Sequence, residues 1–301
     1  MPPESLTSRL QGAIAFPVTP FADDLSLDVE GFRANLRAML AHPIVAVVAA
    51  GGTGELYSLT VEEHLAVTRA AVEECGGRIP VIAGVGFNVP IAAALARQSA
   101  AAGASGILAF PPYYPQADDD GLFEYYRRIG EATPLGLLIY SRDWVHPSPA
   151  AVARLAAGIP TLVAWKDGQG DIRRLQAIRA HVGSRLHWIG GAGDDMVPAY
   201  YSTGIRAFTS SIATIAPSMS VQLHEAASAG DTATLEPLMR DLIIPLYAMR
   251  ARRRGYEVTV MKALMNLMGL AGGRVRPPLP ELDAQHLSEV RAMAAKWAAA
   301  I

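Results

Sequence analysis

Short apolar runs bounded by turn residues recur at positions 13–18, 44–50, 81–85, 106–110, 135–140, 162–165, 186–189 and 205–209. They are continuous rather than alternating, the pattern of strands covered on both faces. Amphipathic stretches with helix start signals lie between them: Asp28 ahead of Val29, Thr60 and Glu63 spaced as a capping box, and Pro149 following Ser148. The runs succeed one another at about 20 to 37 residues, room each time for a strand and a crossover helix. Eight such units without a switch point predict an α/β protein, a (β/α)8 TIM barrel rather than a doubly wound sheet. Beyond about position 216 only helical patterns remain, over 218–229, 232–253, 258–270 and 283–300. The expected division is a barrel over 1–229 carrying the active site, with a C-terminal helical extension over 230–301 packed on it.

Composition narrows the partners. The 301 residues carry a net charge of −2, with 26 basic against 28 acidic side chains. That balance gives no basic footprint for nucleic acid or an anionic membrane. No apolar run approaches the roughly 20 residues of a membrane span, and the first ten residues lack a signal peptide's charged start and apolar core. A soluble cytoplasmic protein is expected. One cysteine, Cys75, excludes an internal disulfide and a thiolate metal cluster. The seven histidines show no metal-ligand spacing, and Asp194 and Asp195 read as caps of the helix after the seventh strand, so no metal site is expected.

In a barrel the chemistry sits at the C-terminal ends of the strands. Lys166 directly follows the sixth apolar run, where burial would depress its pKa and free a neutral, nucleophilic amine. The alternative is a lysine that pairs with Asp167 or snorkels to solvent. Lysine occurs at three positions only, 166, 262 and 296, so lysine chemistry has few candidates. Tyr140 holds the equivalent place one strand earlier, as a proton relay or as core. Arg142, two residues on, is able to clamp a carboxylate or to pair with Asp143. Gly51-Gly-Thr-Gly-Glu55 after the second run offers backbone N–H groups and the Thr53 hydroxyl as an anion cradle, and it matches no nucleotide-binding pattern.

Together, Gly51-Gly-Thr-Gly-Glu55, Tyr140 and Lys166 resemble the signature of the dihydrodipicolinate synthase and N-acetylneuraminate lyase superfamily, over essentially the whole chain. Phe16 to Phe21, Trp165-Lys-Asp-Gly168, the stretch from Pro245 to Tyr256, and Gly273 to Leu279 are most similar to its 5-dehydro-4-deoxyglucarate dehydratase subfamily. The resemblance implies a homotetramer, a dimer of dimers, that forms a lysine Schiff base with a small 2-oxo acid and needs no metal or organic cofactor. It implies Lys166 as the Schiff-base lysine, Tyr140 as proton relay helped by Thr53, and Gly52 with Thr53 as binders of the carboxylate beside the ketone. Arg142, Ser210 and Ser211 are candidates for positioning the far carboxylate. The implied reaction is the decarboxylating dehydration of 5-dehydro-4-deoxy-D-glucarate to 2,5-dioxopentanoate, CO2 and water. Pro111-Pro-Tyr-Tyr114 is closer to the synthases, whose second tyrosine reaches a neighbour's site; this makes Tyr114 a substrate-binding candidate and keeps a pyruvate-dependent aldolase or synthase as an alternative. A non-catalytic barrel that binds 2-oxo acids is an alternative of another class.

Overall fold

A computed structural model describes residues 3–300. Among them eight parallel strands close a barrel in chain order: β1 (Gly12–Ala15), β2 (Ala46–Ala49), β3 (Val81–Phe87), β4 (Gly106–Pro112), β5 (Gly136–Ser141), β6 (Leu162–Asp167), β7 (His187–Gly190) and β8 (Ala207–Ser210). Closure runs through β1 and β8, with Gly12 opposite Ala207 and Ala15 opposite Ser210. The expected barrel stands, and the continuous apolar runs have the reason anticipated. Alternate residues such as Ile14, Val48, Leu138 and Ala164 fill the barrel's interior, while Ala15, Val47, Ile139 and Trp165 face the surrounding helices.

The helix starts follow the sequence signals. The Asp28 carboxylate accepts from the Gly31 N–H, Thr60 and Glu63 form a reciprocal capping box, and the Ser148 hydroxyl accepts from the Ala151 N–H. A short helix, Pro3–Thr7, sits at the N-terminal end of the barrel. Its Leu6 and the following Leu10 are fully buried, and Leu6 fills the space left by the missing side chains of Gly106 and Gly136. Burial of that kind stabilises by about 1.5–3 kcal/mol per leucine and plugs the end opposite the candidate site.

The helical patterns beyond position 216 appear as helices Pro217–Ala229, Tyr256–Leu267 and Ala284–Ala300. The single helix expected over 232–253 is instead interrupted. Thr232–Leu238 passes into a π-helical turn at Met239–Ile243 and resumes as Ile244–Arg250. Pro237 and Pro245 explain it, since each removes an N–H from the helical ladder. The resumed segment brings Tyr247 and Arg250 to the barrel mouth.

Candidate active site

Strand parity decides what Lys166 faces. Ala164 points into the barrel and Trp165 out of it, so Lys166 points in and Asp167 points out. The sequence places Lys166 just after the sixth strand, but the ladder continues through it: Tyr140 pairs with Lys166 and Ser141 with Asp167. Lys166 is 3% exposed. Its amine donates to the Gly191 carbonyl at 3.1 Å and stands over the Tyr140 ring, 3.2 Å from its centre. Burial pushes its pKa well below the usual range, the Arg142 cation pushes the same way, and Asp167 opposes them. Asp167 makes its short contacts elsewhere, accepting from the Tyr200 hydroxyl at 2.7 Å and the Gly170 N–H at 3.1 Å. A Lys166–Asp167 pair is therefore not formed.

Two glycines make room for this pair. A Cβ on Gly168 would meet the Tyr140 ring at 2.3 Å, and one on Gly191 would meet the Lys166 stem at 2.6 Å. The Tyr140 hydroxyl accepts from Arg142 Nη1 at 2.8 Å. Burial raises the Tyr140 pKa and Arg142 counters part of that rise, and the Arg142 bond holds the side chain in place where it lines the cavity.

The other lysines are placed differently. Lys262 is buried in an ion pair with Glu55 at 2.5 Å, with side-chain exposures of 2% and 0%, and also donates to the Arg274 carbonyl. Lys296 lies exposed on the last helix. The Glu55 pairing fixes the end of the Gly51–Glu55 loop, where Glu55 itself adopts φ +53°. One residue earlier, Thr19 Oγ1 donates to the Gly54 carbonyl at 2.7 Å. The loop is thereby anchored to the C-terminal segment, with Gly52 and Thr53 turned to the cavity.

Lys166, Tyr140, Arg142, Gly52, Thr53 and Ser211 all line one cavity of about 590 Å³ at the C-terminal end of the barrel. Two candidates do not join them. Ser210 is fully buried, and its hydroxyl is spent on Asp194 at 2.5 Å and Ser220 at 2.7 Å. Tyr114 is 89% exposed, on the loop after β4, and does not line the cavity. Asp194 departs from its expected role too. It does not cap the helix after β7 through its side chain; it is buried and accepts from Ser210, Ser211 and Tyr247, which ties the seventh loop to β8 and to the C-terminal helices. Tyr247 and Arg250 were not among the expected site residues. The stretch from Pro245 to Tyr256 was the available signal, but periodicity does not show where a helix docks.

Among the described residues no cluster of three or more His, Cys, Asp or Glu is arranged to hold a metal ion, and no helix is long and apolar enough to cross a membrane. The arrangement offers a buried amine with a depressed pKa, a phenol beside it and a glycine-rich anion cradle in one concave site, the components of imine chemistry on a 2-oxo acid.

Residues 9–297 match the dihydrodipicolinate synthetase family. A Bradyrhizobium diazoefficiens protein named "Probable 5-dehydro-4-deoxyglucarate dehydratase" is 36% identical over 299 residues, covering 98% of this chain and 95% of that protein. A Xanthomonas campestris protein with the same name is 38% identical over 291 residues, covering 96% and 95%. Among solved structures, dihydrodipicolinate synthase from Oceanobacillus iheyensis superposes with a TM-score of 0.92 at 29% identity, covering 99% of both chains. The Bacillus clausii synthase gives 0.92 at 27% identity, covering 97% and 99%.

Proposed function

The chain belongs to the dihydrodipicolinate synthetase family, and from that premise we propose that it is a Schiff-base lyase that dehydrates and decarboxylates 5-dehydro-4-deoxy-D-glucarate. The observation that carries this reading is the buried Lys166 amine over the ring of Tyr140, its pKa pushed down by burial. The relatives named for that reaction supply the substrate.

Neutral Lys166 attacks the ketone, and loss of its oxygen as water gives a protonated imine. That cation draws electrons from the adjacent carbon, so a proton leaves there, relayed by the Tyr140 hydroxyl with help from Thr53, which lines the same cavity. The hydroxyl on the next carbon departs as water, leaving a conjugated imine. The bond to the far carboxylate then breaks, CO2 leaves, and its electron pair flows to the imine nitrogen. Reprotonation and hydrolysis release 2,5-dioxopentanoate and restore Lys166. Overall a dianion and one proton give a monoanion, CO2 and water. The carboxylate beside the ketone survives, which suits a permanent cradle at Gly52 and Thr53.

The imine itself is the electron sink, so the reaction as written calls for no metal or organic cofactor. In this reading the enzyme works in the cytoplasm as a homotetramer, and the exposed pair Tyr113 and Tyr114 supports contact with a neighbouring subunit. The likeness to solved dihydrodipicolinate synthases favours a pyruvate-dependent aldolase or synthase as the second reading. Turnover of 5-dehydro-4-deoxy-D-glucarate separates the two. We expect one CO2 released and one proton consumed for each 2,5-dioxopentanoate formed. Condensation of pyruvate with an aldehyde, with no CO2 released from the dicarboxylate, overturns the dehydratase reading.

A further inference from the structure

The substrate has a second carboxylate, and the cavity holds an arginine whose charge is not matched by a protein carboxylate. Arg250 is half-buried at the mouth. Its Nη1 donates to Ser211 Oγ at 3.0 Å and its Nε to the Glu257 carbonyl at 2.9 Å. Its guanidinium carbon lies 4.5 Å from the centre of the Tyr247 ring. Among the described residues no carboxylate lies within ion-pair distance of it, whereas Arg33, Arg127, Arg154, Arg252 and Arg276 each have one.

The neighbours of Arg250 hold it in place without neutralising it. Ser211 Oγ accepts from Arg250 and donates to Asp194. The Tyr247 hydroxyl donates to Asp194 at 2.8 Å and accepts from the Asp194 N–H at 2.7 Å. The Asp194 carboxylate is already satisfied by Ser210, Ser211 and Tyr247 and is buried behind them. The guanidinium therefore faces the cavity with donors to spare, set by a neutral hydroxyl and an aromatic face.

Resting on the Schiff-base reading, we propose that Arg250, oriented by Ser211, receives the carboxylate farthest from the ketone and selects a six-carbon 2-oxo dicarboxylate over a 2-oxo monocarboxylate. The barrel order supports the placement. The imine forms at β6, the near carboxylate sits at the loop after β2 across the barrel, and Ser211 follows β8, two strands from each. Arg142 fits the task less well, because its Nη1 is engaged by the Tyr140 hydroxyl and its Nε by Asp143.

The test is borohydride trapping on Lys166 across a concentration series of two acids of equal length, 2-oxoadipate and 2-oxohexanoate. These differ in a carboxylate against a methyl at the far end. With the wild type, half-saturation should come at lower concentration for 2-oxoadipate. Arg250→Met should raise the 2-oxoadipate value by about 10- to 100-fold and leave the 2-oxohexanoate value within about twofold, which also shows that the variant is folded. Arg250→Lys should restore part of the preference, and Ser211→Ala should lose part of it. Equal half-saturation for the two acids in the wild type, or an Arg250→Met variant that weakens both equally or neither, overturns the assignment. Failure of the wild type to trap either acid on Lys166 overturns the Schiff-base reading itself, and the assignment falls with it.

Discussion

The Lys166 amine stands 3.2 Å from the centre of the Tyr140 ring, on the ring's face, while the Tyr140 hydroxyl reaches past it to Arg142. On the proposed mechanism one side chain does two separable things: its ring covers the amine and its oxygen carries the proton. Tyr140→Phe should keep trapping on Lys166 and lower turnover by about 10²- to 10⁴-fold, the range of a lost general acid–base group. Tyr140→Ala should also rehydrate the amine, raise its pKa and move the acid limb of the trapping-rate profile to higher pH. Identical pH profiles for the two variants contradict this division.

Burying a lysine costs stability. Its pKa in the fold lies well below the usual 10.5, so between those two values the unfolded chain binds a proton that the folded chain does not. Stability of the wild type therefore rises with pH through that window. Lys166→Met should unfold at higher denaturant concentration than the wild type near neutral pH. Its advantage should shrink as pH approaches 10.5. A variant less stable than the wild type at neutral pH contradicts the placement of a neutral amine.

The second buried lysine behaves in the opposite way. Lys262 is the counterion of Glu55, and Glu55 ends the loop that presents Gly52 and Thr53. Burial already raises the Glu55 pKa, with Lys262 restraining it. Lys262→Met should destabilise by about 3–5 kcal/mol, because it strands a buried carboxylate. The double variant Glu55→Gln, Lys262→Met should recover most of that in denaturant titrations. Failure of the second change to compensate contradicts the pairing.

Gly168→Ala tests the packing around the relay. A Cβ would fall 2.3 Å from the Tyr140 ring and 2.9 Å from the Ser141 carbonyl, so the phenol must shift. A displacement of about 1 Å can cost about 10² in rate, and turnover should fall by that order while 2-oxo acid trapping persists. Unchanged turnover contradicts the fit.

The barrel was legible because a strand covered on both faces leaves an uninterrupted apolar run, and eight of them came at crossover spacing. Lys166 was legible for the same reason: a lone lysine at the end of such a run has nowhere to go but the mouth. Its divorce from Asp167 was readable too, since successive strand residues point oppositely. Arg250 and Tyr247 were not, because helical periodicity shows which face is apolar and not where a broken helix docks. Pro237 and Pro245 marked the break without giving its direction. Asp194 and Ser210 were misplaced for a similar reason: a carboxylate before a helix looks like a cap until its partners arrive from β8 and from Tyr247, 53 residues away.

The central claim is that Lys166 forms an imine on which dehydration and decarboxylation occur. Its most direct test is to mix the protein with 5-dehydro-4-deoxy-D-glucarate, reduce with borohydride, and map the modified peptide by mass spectrometry. The account predicts an adduct on Lys166, absent from Lys262 and Lys296, at the mass of reduced 2,5-dioxopentanoate, without the substrate's CO2 and water. An intact-substrate adduct on Lys166 would keep the imine and contradict the dehydratase, and no adduct on Lys166 would contradict the mechanism as a whole.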